Sequence, residues 1–149
     1  MTLWITLTAI IVAATILGLW VHHIFEGEWL PYDLTREYRL SRKSLREMDA
    51  EWAKTAATSD IVITMTTTPS RINLLEHTLK SLLDQSRPPS RIVLNLPAYS
   101  EREQTAYVLP DSLKQLSCLD VHPCKDLGPG TKLIPRLGAE APDTPLLVL

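Results

Sequence analysis

A carboxylate, two cations and two glycines stand within the stretch Lys125-Asp126-Leu127-Gly128-Pro129-Gly130-Thr131-Lys132. Gly128-Pro129-Gly130 specifies a tight turn, with proline favoured at its second position and glycine permitting positive φ at its third. Such a turn would hold Asp126 and Lys132 in a defined relation. Spacing eliminates two phosphate-binding readings. A P-loop needs Gly-Lys-[Ser/Thr], whereas Lys132 follows Thr131 and precedes Leu133. The dinucleotide fingerprint G-x-G-x-x-G fails because the residue three after Gly130 is Leu133. Cys118, His122 and Cys124 are metal-ligand types but lack a fourth ligand and are interrupted by Pro123, so ligation is the weaker reading beside two thiols or a Cys118 to Cys124 bridge. His22 and His23 have no third ligand nearby and read as solvated imidazoles.

The elements that must position these residues follow from hydrophobic pattern. Met1 to Val21 carries no charged side chain, and Leu3 to Ile24, at about 1.5 Å per residue, covers the roughly 30 Å of a bilayer's hydrocarbon. No basic n-region or A-x-A-like site suggests cleavage, so residues 1–25 read as a retained transmembrane anchor. Trp4, Trp20 and Trp29 lie near its ends, where indole rings favour the interface. Lys and Arg occur only after the span, beginning with Arg36 and Arg39, which places the C-terminal side in the cytoplasm of a single-pass cell-membrane protein.

Residues 26–59 read as an amphipathic helical stalk or linker. Leu34, Tyr38, Ser41, Leu45, Met48 and Trp52 recur at steps of four and three, while charged residues fill the other faces. Fewer than three clean heptads are present, so a helix packed on its own domain or on the membrane surface is preferred to a stalk-mediated dimer.

Residues 60–149 have the rhythm of βαβ units. Ile61 to Thr66, Arg91 to Leu96, Cys118 to His122 and Pro145 to Leu149 read as strands. Ile72, Leu75, Leu79, Leu82 and Leu83 form one helical stripe, with Asn73 and Glu76 as a capping box. The charged stretch Ser100 to Val108 and the piece Leu133 to Ala139 also read as helical. Strand starts under 30 residues apart imply a parallel sheet and an α/β class. Ligands bind such sheets at the C-terminal ends of strands, so the turns after Thr66, Leu96 and Val121 should share one rim. The formal net charge of −2 gives no basic field, which excludes binding along a nucleic-acid backbone.

The strand Ile61 to Thr66 is followed by Thr68-x-x-Arg71-x-x-x-Leu75-x-x-x-Leu79-x-Ser81-Leu82-x-x-Gln85, then Pro88-Pro89, a second strand and the Lys125 to Lys132 turn. Over residues 60–149 this resembles nucleotide-sugar glycosyltransferases of the GT-A type, inverting or retaining, whose first half is a Rossmann-like βαβαβαβ sheet. The resemblance implies a nucleotide-sugar donor seated by Thr66, Thr67, Arg71, Asp126 and Lys132. Asp126 would accept from the nucleobase or ribose, and Arg71 or Lys132 would face the diphosphate. The competing reading makes Asp126 a turn cap and leaves both cations solvated. Such enzymes hold Mg²⁺ or Mn²⁺ with an acidic motif after the fourth strand, to offset charge on the departing diphosphate. Residues up to Leu149 contain no such motif, no acceptor half and no identifiable catalytic residue. The expectation is therefore a partial nucleotide-sugar-binding domain, silent on its own, whose apolar strand Leu146 to Leu149 is central and is followed by an acidic pair or triplet. The alternative is a non-catalytic, membrane-tethered α/β binding or interaction module.

Overall fold

The computed structural model describes residues 2–26, 30–55 and 58–149, so the expectation for Trp29 lies outside the described residues. The chain divides into two compact units, one ending at Arg42 and one spanning Lys43–Leu149.

In the first unit, α1 (Thr2–Glu26) contains a 24-residue stretch, Thr2–Phe25, long and apolar enough to cross a membrane. Three of its threonines do not oppose that environment, because their hydroxyls donate back to carbonyls of the same helix. Thr6 reaches Leu3 O at 2.9 Å, Thr8 reaches Trp4 O at 2.8 Å, and Thr15 reaches Ile11 O at 2.9 Å. After it comes α2 (Leu30–Arg42), none of whose residues is buried.

The expected single stripe from Leu34 to Trp52 is broken at Lys43-Ser44. Ser44 is extended (φ −73°, ψ 152°) and caps a new helix, α3 (Leu45–Trp52): Glu47 N–H donates to Ser44 Oγ, and Ser44 N–H donates to the Glu47 carboxylate at 2.8 Å. These reciprocal bonds favour a helix start at Leu45 over continuation of α2. The same bonds hold the Glu47 carboxyl below its usual range. α3 belongs to the second unit: Leu45, Met48 and Asp49 are buried, and Trp52 Nε1 donates to Pro89 O at 2.9 Å. The second compact unit thus begins at Lys43 and includes α3.

That unit is built on β1 (Val62–Met65), β2 (Arg91–Pro97), β5 (Leu119–Cys124) and β6 (Leu146–Val148), all parallel and ordered β5-β2-β1-β6. Continuous apolar runs allow β1 and β2 to be covered on both faces. Val62, Ile63, Met65, Ile92, Val93 and Leu94 are all buried. Helix α4 (Leu75–Leu83) buries Leu75, Leu79, Leu82 and Leu83, while Ile72 is buried just before it. Pro123 lies in β5, an outer strand, where a missing N–H is tolerated.

Several local expectations are corrected. The Asn73/Glu76 capping box does not form. A 3₁₀ turn, Pro69–Leu74, opens with its proline after extended Thr68; α4 begins without a side-chain cap, and Glu76 pairs with Lys80 at 3.1 Å. The stretch after Pro97 is an antiparallel hairpin, not a helix: β3 (Tyr99–Ser100) pairs with β4 (Thr105–Ala106). Its turn closes through Gln104 at φ 50°, with Glu103 N–H held by Ser100 Oγ at 3.2 Å. Among the described residues strand β6 pairs with β1 alone and Leu147 is 45% exposed; α5 (Ile134–Leu137) and its flanking turns return the chain to that side of β1. The expected helix Leu133 to Ala139 shortens to α5. Cys118 and Cys124 are both free thiols. An extended strand separates residues six apart by about 20 Å, far beyond disulfide reach.

Buried Asp49 ties α3 to the sheet by accepting Ser117 N–H at 2.9 Å and Cys118 N–H at 2.8 Å. Burial, with the Asp49 carboxylate alongside, pushes the Cys118 thiol well above its ordinary value. Asp49→Ala leaves two N–H groups without acceptors and should cost about 1–3 kcal/mol in denaturant unfolding of the full chain, followed by Trp fluorescence. Exposed Glu51→Ala should be near neutral in the same measurement, and equal effects would contradict the placement of α3 in this unit.

Candidate functional site

The sheet turns from one direction of growth to the other between β1 and β6: β2 and β5 were added on one side of β1, and β6 on the other. In open parallel sheets the crevice outside the carboxyl ends of the strands, at such a switch point, is where ligands bind. The segments leaving β1, β2 and β5 are joined there by side-chain bonds.

Below the rim is a buried polar group of residues from three segments. Asn95, fully buried on β2, donates through Nδ2 to Thr64 Oγ1 at 2.9 Å and to Lys132 O at 3.3 Å. Thr64, fully buried on β1, donates its hydroxyl to the same Lys132 carbonyl. Thr131 Oγ1 accepts Leu127 N–H at 2.8 Å. Together these bonds hold the 3₁₀ turn Gly128–Lys132 against the ends of β1 and β2. The positive φ of this turn falls on Gly128 (+58°), not on Gly130 as turn chemistry had suggested, because the chain enters a 3₁₀ turn there instead of closing a two-residue bend. At Gly128 a side chain would meet backbone strain.

Around the rim, Thr66 donates to Asn95 O at 2.9 Å, and Tyr107 OH donates to Thr67 O at 2.9 Å. Burial raises the Tyr107 phenol above its ordinary value. Glu103, at the hairpin tip, accepts Ser70 N–H at 2.9 Å and Ser70 Oγ–H at 2.7 Å. Asp126 accepts Glu101 N–H at 2.9 Å and Gly128 N–H at 2.8 Å. The Ser70 bonds hold the Glu103 carboxyl below its usual range, and the two backbone bonds do the same for Asp126. Burial and the nearby Asp126 charge raise the Cys124 thiol.

Of the five residues singled out in the sequence, Thr66 and Thr67 sit at the exit of β1, Asp126 links the β5 exit to the hairpin, and Lys132 ends the turn tied to β1 and β2. Arg71 lies exposed in the 3₁₀ turn Pro69–Leu74. Hydrogen bonds join the segments of Thr66, Thr67, Asp126 and Lys132 into one framework; among the described residues no bond joins the Arg71 side chain to it. A cleft of about 620 Å³ opens beside Arg71, between Pro69, Ser70, Ile72 and Asn73 and the hairpin residues Glu103 and Thr105. Asn95, Thr64, Thr131, Glu103 and Tyr107 were not legible as site residues, although a lone Asn within Ile92 to Leu96 is the signal that could have flagged the first. Among the described residues no group of three or more His, Cys, Asp or Glu side chains gathers to hold a metal ion. They do not fit a divalent cation, and Cys118, His122 and Cys124 are not brought to one point.

The two depressed carboxylates set a pH dependence. A carboxyl lowered on folding stabilises the fold above its unfolded value, and the contribution disappears as pH falls through its folded value. Loosening of the hairpin from Ser70 and from the Asp126 loop is therefore expected only below the ordinary carboxylate range. In the full chain in detergent micelles, the amide resonances of Ser70, Glu101 and Gly128 should titrate there, and constancy down to the acid limit would contradict the bonds. Comparisons of the chain with protein-family models, with curated proteins and with solved structures find no match.

Proposed function

We propose that this chain is the membrane-anchored, nucleotide-binding part of a glycosyltransferase of the GT-A-like type, serving transfer of a sugar from a nucleotide-sugar donor to an acceptor. The observation that carries the reading is the strand order β5-β2-β1-β6, with its switch point beside β1 and the turn Gly128–Lys132 pinned to that rim. A turn pinned through the Lys132 carbonyl fixes the backbone from which its ammonium reaches, which suits recognition of a diphosphate with only the side chain left to order. Arg71 is the second candidate cation. Thr66 and Thr67 line the β1 exit towards the nucleoside, and Asp126 retains lone pairs for a nucleoside hydroxyl beyond its two backbone bonds. Mg²⁺ or Mn²⁺ belongs to the proposal only through residues other than those described.

One observation favours a second reading, a membrane-tethered α/β interaction module without chemistry. Both Asp126 oxygens, like both Glu103 oxygens, already serve the domain's own backbone or side chains. Calorimetry of the full chain in detergent with uridine and guanosine diphosphates separates the two. The donor-binding reading expects binding that Asp126→Ala and Lys132→Ala each weaken by about 10- to 150-fold, as for loss of one charged hydrogen bond of about 1.5–3 kcal/mol. Glu47→Ala should leave it unchanged. No heat from either nucleotide would favour the module.

We further propose that α1 is retained and that the second unit faces the cytoplasm, on the strength of the uncharged span and the Lys and Arg residues that follow it. The protein should pellet with membranes after carbonate extraction, and Arg39→Cys should resist an impermeant thiol reagent in intact cells. Release by carbonate contradicts retention, and labelling contradicts the orientation.

A further inference from the structure

Helix α2 bears an apolar stripe of its own. Leu30, Leu34 and Tyr38 are 37%, 56% and 63% exposed. At 100° per residue they fall within about 80° of the helix circumference, with Ser41 between them. Arg42 borders the stripe: its Nη1 donates to Tyr38 OH at 2.8 Å, and its guanidinium carbon lies 5.7 Å from the ring centroid. Tyrosine and arginine share an apolar body and a polar tip, the character suited to the boundary between acyl chains and headgroups.

Two facts identify what covers the stripe. The first is chain length. The apolar span ends at Phe25 and α2 begins at Leu30, so four residues lie between them and the helix starts no farther than about 18 Å from the end of the span. The second is the break at Ser44. In sequence the stripe continues through Leu45 and Met48, but those residues begin a separately capped helix and are buried in the second unit. The seam left on α2 is shorter than two heptads, too little for a coiled-coil dimer.

We propose that α2 is an interfacial helix, lying in the headgroup layer of the bilayer that α1 crosses, with Leu30, Leu34 and Tyr38 turned towards the acyl chains and Arg42 at headgroup level. This rests on α1 being a retained membrane span. Asp33 and Glu37 largely offset Arg36, Arg39 and Arg42, so apolar burial rather than attraction to anionic lipid holds the helix down.

The test uses the full chain, with Cys124→Ser, in phosphatidylcholine bilayers and spin labels placed singly through Ile11→Cys, Leu34→Cys, Tyr38→Cys and Arg39→Cys. Collision rates with oxygen and with a water-soluble nickel chelate are read by electron paramagnetic resonance. Oxygen should dominate at positions 11, 34 and 38, and the ratio should invert at 39. Nickel access at 34 and 38 equal to that at 39, with position 11 still oxygen-dominated, overturns the interfacial helix while leaving the span intact. Spin–spin broadening at 34 and 38 overturns it in favour of a self-associated stalk. Nickel access at position 11 removes the span, and the proposal with it.

Discussion

The carbonyl of Lys132 receives two buried donors, the hydroxyl of Thr64 and the amide of Asn95, and the geometry of the rim follows from that convergence. Both donors lie on the two central strands at full burial, where an unpaired polar group is costly. The turn that carries the carbonyl is thus required by the sheet as much as the sheet is required by the turn. Replacing either donor with an apolar residue would leave the other groups to be satisfied elsewhere.

Charged groups on the rim are used first to assemble it. Asp126 joins the exit of β5 to the hairpin after β2, and Glu103 joins that hairpin to the turn after β1. The segments leaving three strands are tied by two carboxylates on backbone N–H groups. A similar arrangement at the opposite end of the sheet is electrostatic: Glu140 pairs with Arg136 at 3.3 Å and with Arg91, closing α5 onto the start of β2. The lower end is thereby held by ion pairs and the upper end by directional hydrogen bonds.

The boundary between the two units depends on competition between local and tertiary preferences. Hydrophobic periodicity runs past residue 43 with one polar gap at Ser41, but the Ser44–Glu47 box starts a fresh helix and Asp49 binds that helix to the Ser117-Cys118 backbone. A helix that repeats every three or four residues can serve a stalk, a membrane surface or a domain core. Its caps and buried polar partners determine which.

Read alone, the sequence determined the apolar span, the four strands with their βα rhythm, and the buried stripe Ile72 to Leu83, since continuous β-branched runs and 3.6-residue periodicity follow from side-chain burial that each segment needs wherever it docks. By the same rhythm it put the turns after Thr66, Leu96 and Val121 at one rim, whereas Thr66, Thr67, Arg71, Asp126 and Lys132 were singled out there by a resemblance. It misread the Ser100 to Val108 segment, where charge density resembled a solvated helix and the actual constraint, Glu103 on Ser70, spans 33 residues. The pairing of β6 with β1, the membership of α3 and the roles of Asn95 and Thr64 were likewise decided only by the tertiary structure. Strand order and long-range polar partners depend on pairings between segments remote in sequence, and no local pattern encodes which carbonyl a buried amide will find.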